Sequence, residues 1–210
     1  MPAAPPTVFI VDDDPSVLRS LARLVRQAAY EPRTFSSAEE FLASQAVSLT
    51  QPACLVLDLT MPGLSGLELQ QKLTSRPAAC PIIFVSGNGT IPDTVQAMKQ
   101  GAVTFLSKPF DDEELLQALA EAVANHRQSL DANAHLALIR QRFDCLTERE
   151  REVMAWVITG ALNKQIAGHL GIVEKTVKVH RARVLEKMGV TSVAELVRRC
   201  AAVGFAAAHQ

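Results

Sequence analysis

The chain reads TVFIVDDD at positions 7–14, a short and largely apolar run that ends in three aspartates. A second run, CLVL at 54–57, ends in Asp58 in the same way. Runs this short and rich in Val, Ile and Leu are typical of buried strands in a parallel sheet. Clustered carboxylates resist burial unless a cation neutralises them, and Mg²⁺ prefers oxygen ligands. The pattern therefore predicts an acidic cation pocket at the carboxyl ends of neighbouring strands, where such sheets bind ligands.

Short strands alternate with helical patterns over residues 7–124. Strands are predicted at 7–11, near 33–35, and at 54–57, 81–85 and 102–106, each followed by apolar residues at helical spacing. Local signals set several helix ends: Asp14-Pro15 is typical of an N-cap and first turn, Ser37 can cap the second helix, and Gly101 suits the position after the fourth. Five strand–helix units predict a parallel sheet with helices on both faces.

The rest of the chain is predicted to be helical. A helix over 111–123 closes the first unit, and the polar stretch 125–144 lacks Gly and Pro, which favours a stiff, partly helical linker. From 145 on, four helices are expected: one opened by the capping box 147–150, one capped by Asn163 and ended by Gly171, and two at about 174–188 and 192–203.

Charge is divided unevenly along the chain, although the net charge is only −1. Residues 1–125 carry 8 Lys/Arg against 14 Asp/Glu, and residues 126–210 carry 13 against 8. An acidic half that binds cations and a basic half that binds nucleic acid would explain the division; ordinary variation of surface charge is the alternative.

Four widely spaced cysteines and five histidines form no metal-ligand pattern. The cysteines are expected to be reduced and mostly buried, and the histidines other than His180 are expected at the surface. The start of the chain lacks a signal peptide and no apolar run reaches the ~20 residues of a membrane span, so a cytoplasmic protein is expected.

Polar residues end two more predicted strands, Ser86 after the fourth and Lys108 after the fifth. If these residues lie beside the acids, the site contains the groups that phosphoryl transfer to a carboxylate needs. These groups are a cation site, an ammonium for a phosphate oxygen, and Asp58 as nucleophile. Each residue alone could be a turn former, a cap or a solvated charge; their joint order and spacing favour the functional interpretation.

Four segments, VDDD at 11–14, LDLTMPGLSG at 57–66, VSG at 85–87 and LSKPF at 106–110, make this region similar to the receiver domain of two-component response regulators. The resemblance implies a flavodoxin-like (βα)5 fold in which a partner sensor histidine kinase phosphorylates Asp58. It further implies roles for a set of residues: Asp12, Asp13, Asp58 and the Thr60 carbonyl for Mg²⁺ or another divalent cation, Ser86 and Phe105 as switch positions, and Lys108 for the phosphate. Asp14 is expected to cap the first helix.

The basic region from Leu146 to about Cys200 has helix-turn-helix spacing and resembles the LuxR-type (NarL/FixJ) four-helix DNA-binding domain. Its third helix combines an apolar stripe with a basic face that suits the major groove; a solvated basic face is the alternative. The resemblance implies two groups of DNA contacts: Lys178, Val179 and Ala182 to base edges, and Lys164, Lys175, Thr176 and Arg181 to phosphates. Val173 stands where many relatives place a Ser or Thr cap.

The whole chain is therefore identified as a member of the FixJ/StyR-like response regulators, with a receiver at 1–124, a linker at 125–144 and a helix-turn-helix domain at 145–210. Such a protein is a transcription factor, not an enzyme; its expected partners are the kinase, double-stranded promoter DNA, RNA polymerase and, when phosphorylated, a second copy, and transcriptional activation is the expected output. Two alternatives remain: a Mg²⁺-dependent phosphatase with an aspartyl-phosphate intermediate, and an output domain run by a receiver that is never phosphorylated.

Overall fold

The computed structural model describes residues 4–44, 51–74 and 80–208. The chain separates into two compact units, Met1–Asp131 and Ala132–Gln210, and each has hydrophobic core residues of its own. Within the described ranges, no helix has both the length and the apolar character required to cross a membrane.

The first unit is built on a parallel five-stranded sheet in the order β2-β1-β3-β4-β5. Its strands are β1 (Thr7–Val11), β2 (Glu31–Phe35), β3 (Ala53–Leu57), β4 (Ile82–Ser86) and β5 (Thr104–Ser107). Val11 of β1 is in register with Leu57 of β3, so the residues that follow these two strands emerge side by side. This arrangement confirms the predicted sheet; β5 begins two residues later than predicted, because the Ala102 N–H still bonds back to the Ala97 carbonyl.

Helices cover both faces of the sheet, as predicted. They are α1 (Pro15–Gln27), α2 (Ala38–Ala43), α3 (Gly66–Thr74), α4 (Ile91–Lys99) and α5 (Asp112–Asp144). Alternate strand residues face opposite sides: Phe9 and Leu57 pack with residues of α2 and α3, whereas Ile10 and Val56 pack with residues of α1 and α5. Burial of each large apolar side chain contributes about 1.5–3 kcal/mol, which makes these two clusters the main source of stability.

Local cap chemistry was predicted well in this unit. Asp14 accepts from the backbone N–H of Ser16 at 2.7 Å, Ser37 caps α2, and Gly101 has a left-handed φ of 90° just past α4. The reciprocal capping box of Thr90 and Asp93 at the start of α4 was not predicted. The peptide bond between Lys108 and Pro109, which the sequence leaves open, is cis.

Helix α5 is longer than predicted. The closing helix predicted at 111–123 and the linker predicted at 125–144 form one helix of 33 residues. The reason is the absence of Gly and Pro, which leaves no residue to end the helix before Asp144.

The second unit is helical, with α6 (Glu148–Val157), α7 (Asn163–Leu170), α8 (Glu174–Met188) and α9 (Val193–Ala202) after the end of α5. The capping box of Thr147 and Glu150 is confirmed. The predicted cap at Asn163 is wrong: Asn163 is the first helical residue, Leu162 occupies the N-cap position, and the Leu162 N–H donates to Gln165 Oε1 at 2.8 Å. Val173 precedes α8 and makes no side-chain cap, as predicted.

The four cysteines are free, and only Cys145 is exposed. Burial raises the pKa of the Cys80 thiol to about 12 and that of Cys54 well above its ordinary value. One histidine prediction is wrong, because His126 of α5 is buried, with Nδ1 3.0 Å from both the N and O atoms of Ala53. His209 lies outside the described residues.

Candidate functional site

Two carboxylates and one ammonium meet at the carboxyl ends of the central strands. Asp12 follows β1 and Asp58 follows β3, and both side chains are buried. Lys108, just past β5, donates from Nζ to Asp12 Oδ2 at 2.7 Å and to Asp58 Oδ1 at 3.1 Å. Parallel register thus joins residues that are 96 and 50 positions from Lys108 in the chain.

Backbone groups fix the remaining carboxylate oxygens. The Asp14 N–H donates to Asp12 Oδ1 at 2.9 Å, and the Thr60 N–H donates to Asp58 Oδ2 at 2.7 Å. Gly66 lies against the same loop, where a Cβ would overlap the Asp58 carbonyl. These contacts hold Asp58 in one orientation.

Burial and charge act in opposite directions on this cluster. Burial raises the pKa of Asp58 above its ordinary value, against the hydrogen bonds from Lys108 and the Thr60 N–H, and the Asp12 charge raises it further. Burial would lower the pKa of Lys108, but its hydrogen bonds to Asp12 and Asp58 outweigh that effect and raise it. Both pKa values are raised, and the cluster has an excess of negative charge because one ammonium is paired with two carboxylates.

The donor set suits a hard divalent cation, because it consists of carboxylate oxygens and lacks one counter-charge. Asp13 is exposed beside the two buried acids. Within residues 4–44, 51–74 and 80–208, no three His, Cys, Asp or Glu side chains already form a metal-holding group. Lys108 and the backbone N–H groups each bond to one oxygen of Asp12 and Asp58, so each oxygen keeps a lone pair for a cation beside the exposed Asp13.

The two predicted switch residues lie on neighbouring strands. Ser86 is buried at the end of β4; its Oγ accepts from the Asn88 N–H at 3.3 Å, and its carbonyl accepts from the Lys108 N–H at 2.9 Å. Phe105 of β5 stacks on Phe84, with ring centroids 6.2 Å apart, and is partly buried. A Cβ at Gly89 would overlap the Phe105 ring, so this ring position depends on a glycine in the loop after β4.

The predicted DNA contacts lie mainly on one helix of the second unit. Val177, Val184 and Met188 of α8 are fully buried, which fixes the opposite side of the helix toward solvent. The predicted set divides by exposure: Lys164, Lys175, Lys178, Val179 and Ala182 are exposed, and Thr176 and Arg181 are partly buried. Lys164 alone of this set belongs to α7. Val179 is an exposed apolar side chain among the basic residues of this helix surface.

Hydrogen bonds between helices fix the helix-turn-helix, and the sequence did not predict these contacts. Arg149 of α6 donates to the Leu170 carbonyl at 2.7 Å, at the end of α7. Arg181 of α8 donates to Asn163 Oδ1 at 3.2 Å. The two arginines were visible in the sequence, but sequence does not say which distant oxygen each one contacts.

Comparisons with known proteins place both units. Residues 8–120 match the model of the response regulator receiver domain, and residues 144–200 match that of the bacterial regulatory proteins of the luxR family. Nodulation protein W of Bradyrhizobium diazoefficiens is 46% identical over 202 residues, 96% of this chain and 88% of that protein. The transcriptional regulatory protein FixJ of Rhizobium meliloti is 41% identical over 200 residues, 95% and 97% of the two chains.

Solved structures of response regulators also match this chain over most of its length. The low-resolution structure of the response regulator StyR is 45% identical, with a TM-score of 0.86 over 94% of this chain and 99% of that one. Full-length FixJ from B. japonicum is 35% identical, with a TM-score of 0.57 over 96% of this chain and 98% of that one.

Proposed function

This chain belongs to the response regulators that join a receiver domain to a LuxR-type DNA-binding domain, and we propose that a phosphoryl group on Asp58 controls its binding to promoter DNA. The family consists of DNA-binding transcription regulators, not enzymes, which sets the phosphatase alternative aside. The two domains imply a histidine kinase and DNA as partners. We place the receiver at 1–124, the linker at 125–144 and the DNA-binding domain at 145–210.

The observation that carries this proposal is the buried Asp58 carboxylate beside Asp12 and Lys108. An oxygen of Asp58 attacks the phosphorus of the donor, and the bond from phosphorus to the donor atom breaks. With acetyl phosphate the leaving group is acetate; with a phosphohistidine it is the imidazole. Lys108 then contacts an oxygen of the new phosphoryl group and is drawn away from Asp12.

Receiver domains generally bind Mg²⁺ at this acidic pocket. Here Asp12, Asp13, Asp58 and the Thr60 carbonyl would hold it. When bound, the cation offsets the charge of the incoming phosphoryl group. The cation and the Lys108 ammonium would share the carboxylate oxygens of Asp12 and Asp58.

Ser86 and Phe105 couple phosphorylation of Asp58 to a change at the surface of the receiver. Ser86 Oγ donates to a phosphoryl oxygen, and its movement frees space that Phe105 of the neighbouring strand can enter. Phe105 stands next to α4, whose side chains Ile91, Val95 and Met98 are exposed; Ile91 is 81% exposed. Such an apolar face in a charged surface supports dimerisation of the phosphorylated form through α4 and β5. Val197 of α9 is also an exposed apolar side chain, and we propose it as a contact between DNA-bound copies.

In the second unit, we propose that Lys178, Val179 and Ala182 contact base edges, while Lys164, Lys175, Thr176 and Arg181 contact phosphates. Two copies then read paired half-sites, and a contact with RNA polymerase activates transcription. A promoter–reporter assay with and without the kinase signal tests activation; lower expression under phosphorylating conditions would make the chain a repressor.

The decisive experiment combines labelling with DNA binding. The full chain is incubated with Mg²⁺ and acetyl phosphate, and the phosphorylated residue is mapped by mass spectrometry after borohydride reduction. Asp58→Asn should abolish labelling, whereas the exposed Asp131→Asn should not change it. Labelled protein should bind an in vitro selected duplex more tightly than unlabelled protein. Labelling of the Asp58→Asn variant, or equal DNA affinity of both forms, would overturn the proposal; the latter outcome supports a receiver that works without phosphorylation.

A further inference from the structure

Two arginines from different helices share one carbonyl at the end of α8. The Met188 carbonyl accepts from Arg142 Nη1 at 3.0 Å and from Arg199 Nη1 at 2.6 Å. The last carbonyls of a helix have no partner within the helix and form the negative end of its dipole, so cations there satisfy and stabilise them. Arg142 comes from α5 and Arg199 from α9.

The two arginines differ in what else they contact. Arg199 also donates from Nη2 to Glu195 Oε1 at 2.8 Å, within its own helix. Within the described part of the chain, the Arg142 side chain donates a hydrogen bond only to Met188. Arg142 is thus committed to the end of α8, whereas Arg199 has a second anchor.

Gly189 makes room for Arg142. It follows Met188 with a left-handed φ of 63°, which ends α8, and a Cβ at this position would overlap the Arg142 guanidinium. A glycine is therefore needed here twice, once for the backbone conformation and once for the approach of Arg142.

We infer that Arg142 is a positioning residue for DNA reading by α8. It does not itself belong to the exposed surface formed by Lys178, Val179 and Ala182; it fixes the direction of the helix that carries them. Base-edge contacts need their donors held to within about 0.5 Å, whereas flexible lysines at phosphates tolerate small shifts. The inference rests on the proposed DNA-binding role of α8.

Loss of Arg142 should leave α8 folded. The Val177, Val184 and Met188 side chains are buried in the core of the unit, and Lys187 still bonds to Glu150 Oε2 at 2.6 Å. The expected change is a less fixed carboxyl end of α8. Selective binding should therefore weaken, and general binding to DNA should not.

The test measures two affinities of the full chain, for a duplex obtained by in vitro selection with the unaltered protein and for poly(dI-dC). Arg142→Ala is expected to weaken binding to the selected duplex about five- to tenfold, the scale of the net contribution of one hydrogen bond, with poly(dI-dC) affinity within twofold. Arg140→Ala is the matched control, because Arg140 is exposed on the same helix and its side chain donates no hydrogen bond within the described residues. Unchanged affinity for the selected duplex, or equal losses for both DNAs, would overturn the inference.

Two further variants test the inference if Arg142→Ala lowers the melting temperature too far for binding to be measured. Arg142→Lys retains a charged donor and should recover most of the selectivity; recovery no better than with Arg142→Gln would contradict it. Gly189→Ala should reduce selectivity more in the unaltered chain than in the Arg142→Ala background, because part of its effect is displacement of that arginine. If the unaltered chain selects no sequence at all, the proposed DNA reading fails and this inference falls with it.

Discussion

Lys108 Nζ lies 2.7 Å from Asp12 Oδ2, and this ion pair joins the last strand of the sheet to a central one. The same ammonium is 3.1 Å from Asp58, so its loss would leave two buried carboxylates without a counter-charge. Both acids are buried, while a quarter of the Lys108 side chain remains exposed to water.

Lys108→Ala should therefore lower the free energy of unfolding by roughly 1–3 kcal/mol at pH 7, less than for a fully buried pair because water screens the site. Without the ammonium, the native pKa of Asp58, already raised by burial, rises further above its unfolded value. The loss of stability should grow as pH rises through the carboxyl range and shrink as pH falls below it. Urea unfolding at several pH values measures this, with the exposed Lys99→Ala as control; a loss that does not depend on pH would point to packing instead.

Mg²⁺ should raise the melting temperature of the unaltered chain and have little effect on Asp58→Asn, since a ligand of the folded state stabilises it. Binding requires ionised carboxylates, and burial raises the pKa of Asp58. Mg²⁺ affinity should therefore begin to fall at a higher pH than for an ordinary aspartate as the solution is acidified. Calorimetric titration between pH 7.5 and about 4.5 gives the profile; equal affinity across this range would argue against Asp58 as a ligand.

Lys178→Ala should cost about 1–3 kcal/mol of specific DNA affinity and relax the preference at one base position. Lys164→Ala should instead weaken binding to all sequences and lower the salt slope by about 1, because it removes a phosphate contact. Repeating the in vitro selection with each variant distinguishes the two roles. Identical selected sequences for Lys178→Ala and the unaltered chain would remove Lys178 from the base-reading group.

His126 should make stability depend on pH. Burial lowers its pKa, so the unfolded chain binds a proton more readily and stability falls as pH drops below about 6.5. His126→Gln keeps an acceptor for the Ala53 N–H and cannot be protonated, so the variant should lose less stability between pH 7 and about 5. His135→Gln, an exposed histidine on the same helix, should leave the profile of the unaltered chain in place.

Local patterns predicted the sheet and most helix ends, because strand periodicity and caps such as Asp14 and Thr147 act within a few residues. The cap at Asn163 failed because Gln165 satisfies the preceding N–H and shifts the helix start. The sequence predicted that the acids and Lys108 form one site, since parallel topology alone brings the strand ends together. Contacts between distant helices could not be predicted: no local signal pairs Arg142 with Met188, or His126 with Ala53.

The contrast between Cys145 and the three enclosed cysteines offers a practical route to the motions proposed above. Alkylation needs an accessible thiolate, and the Cys54, Cys80 and Cys200 thiols are enclosed with raised pKa values. A maleimide dye should therefore attach to the native chain at Cys145 alone, one residue past the end of α5 and beside the Lys187 contact. The unaltered protein thus already carries a fluorescent reporter position at the junction where helix α5 gives way to the DNA-binding helices.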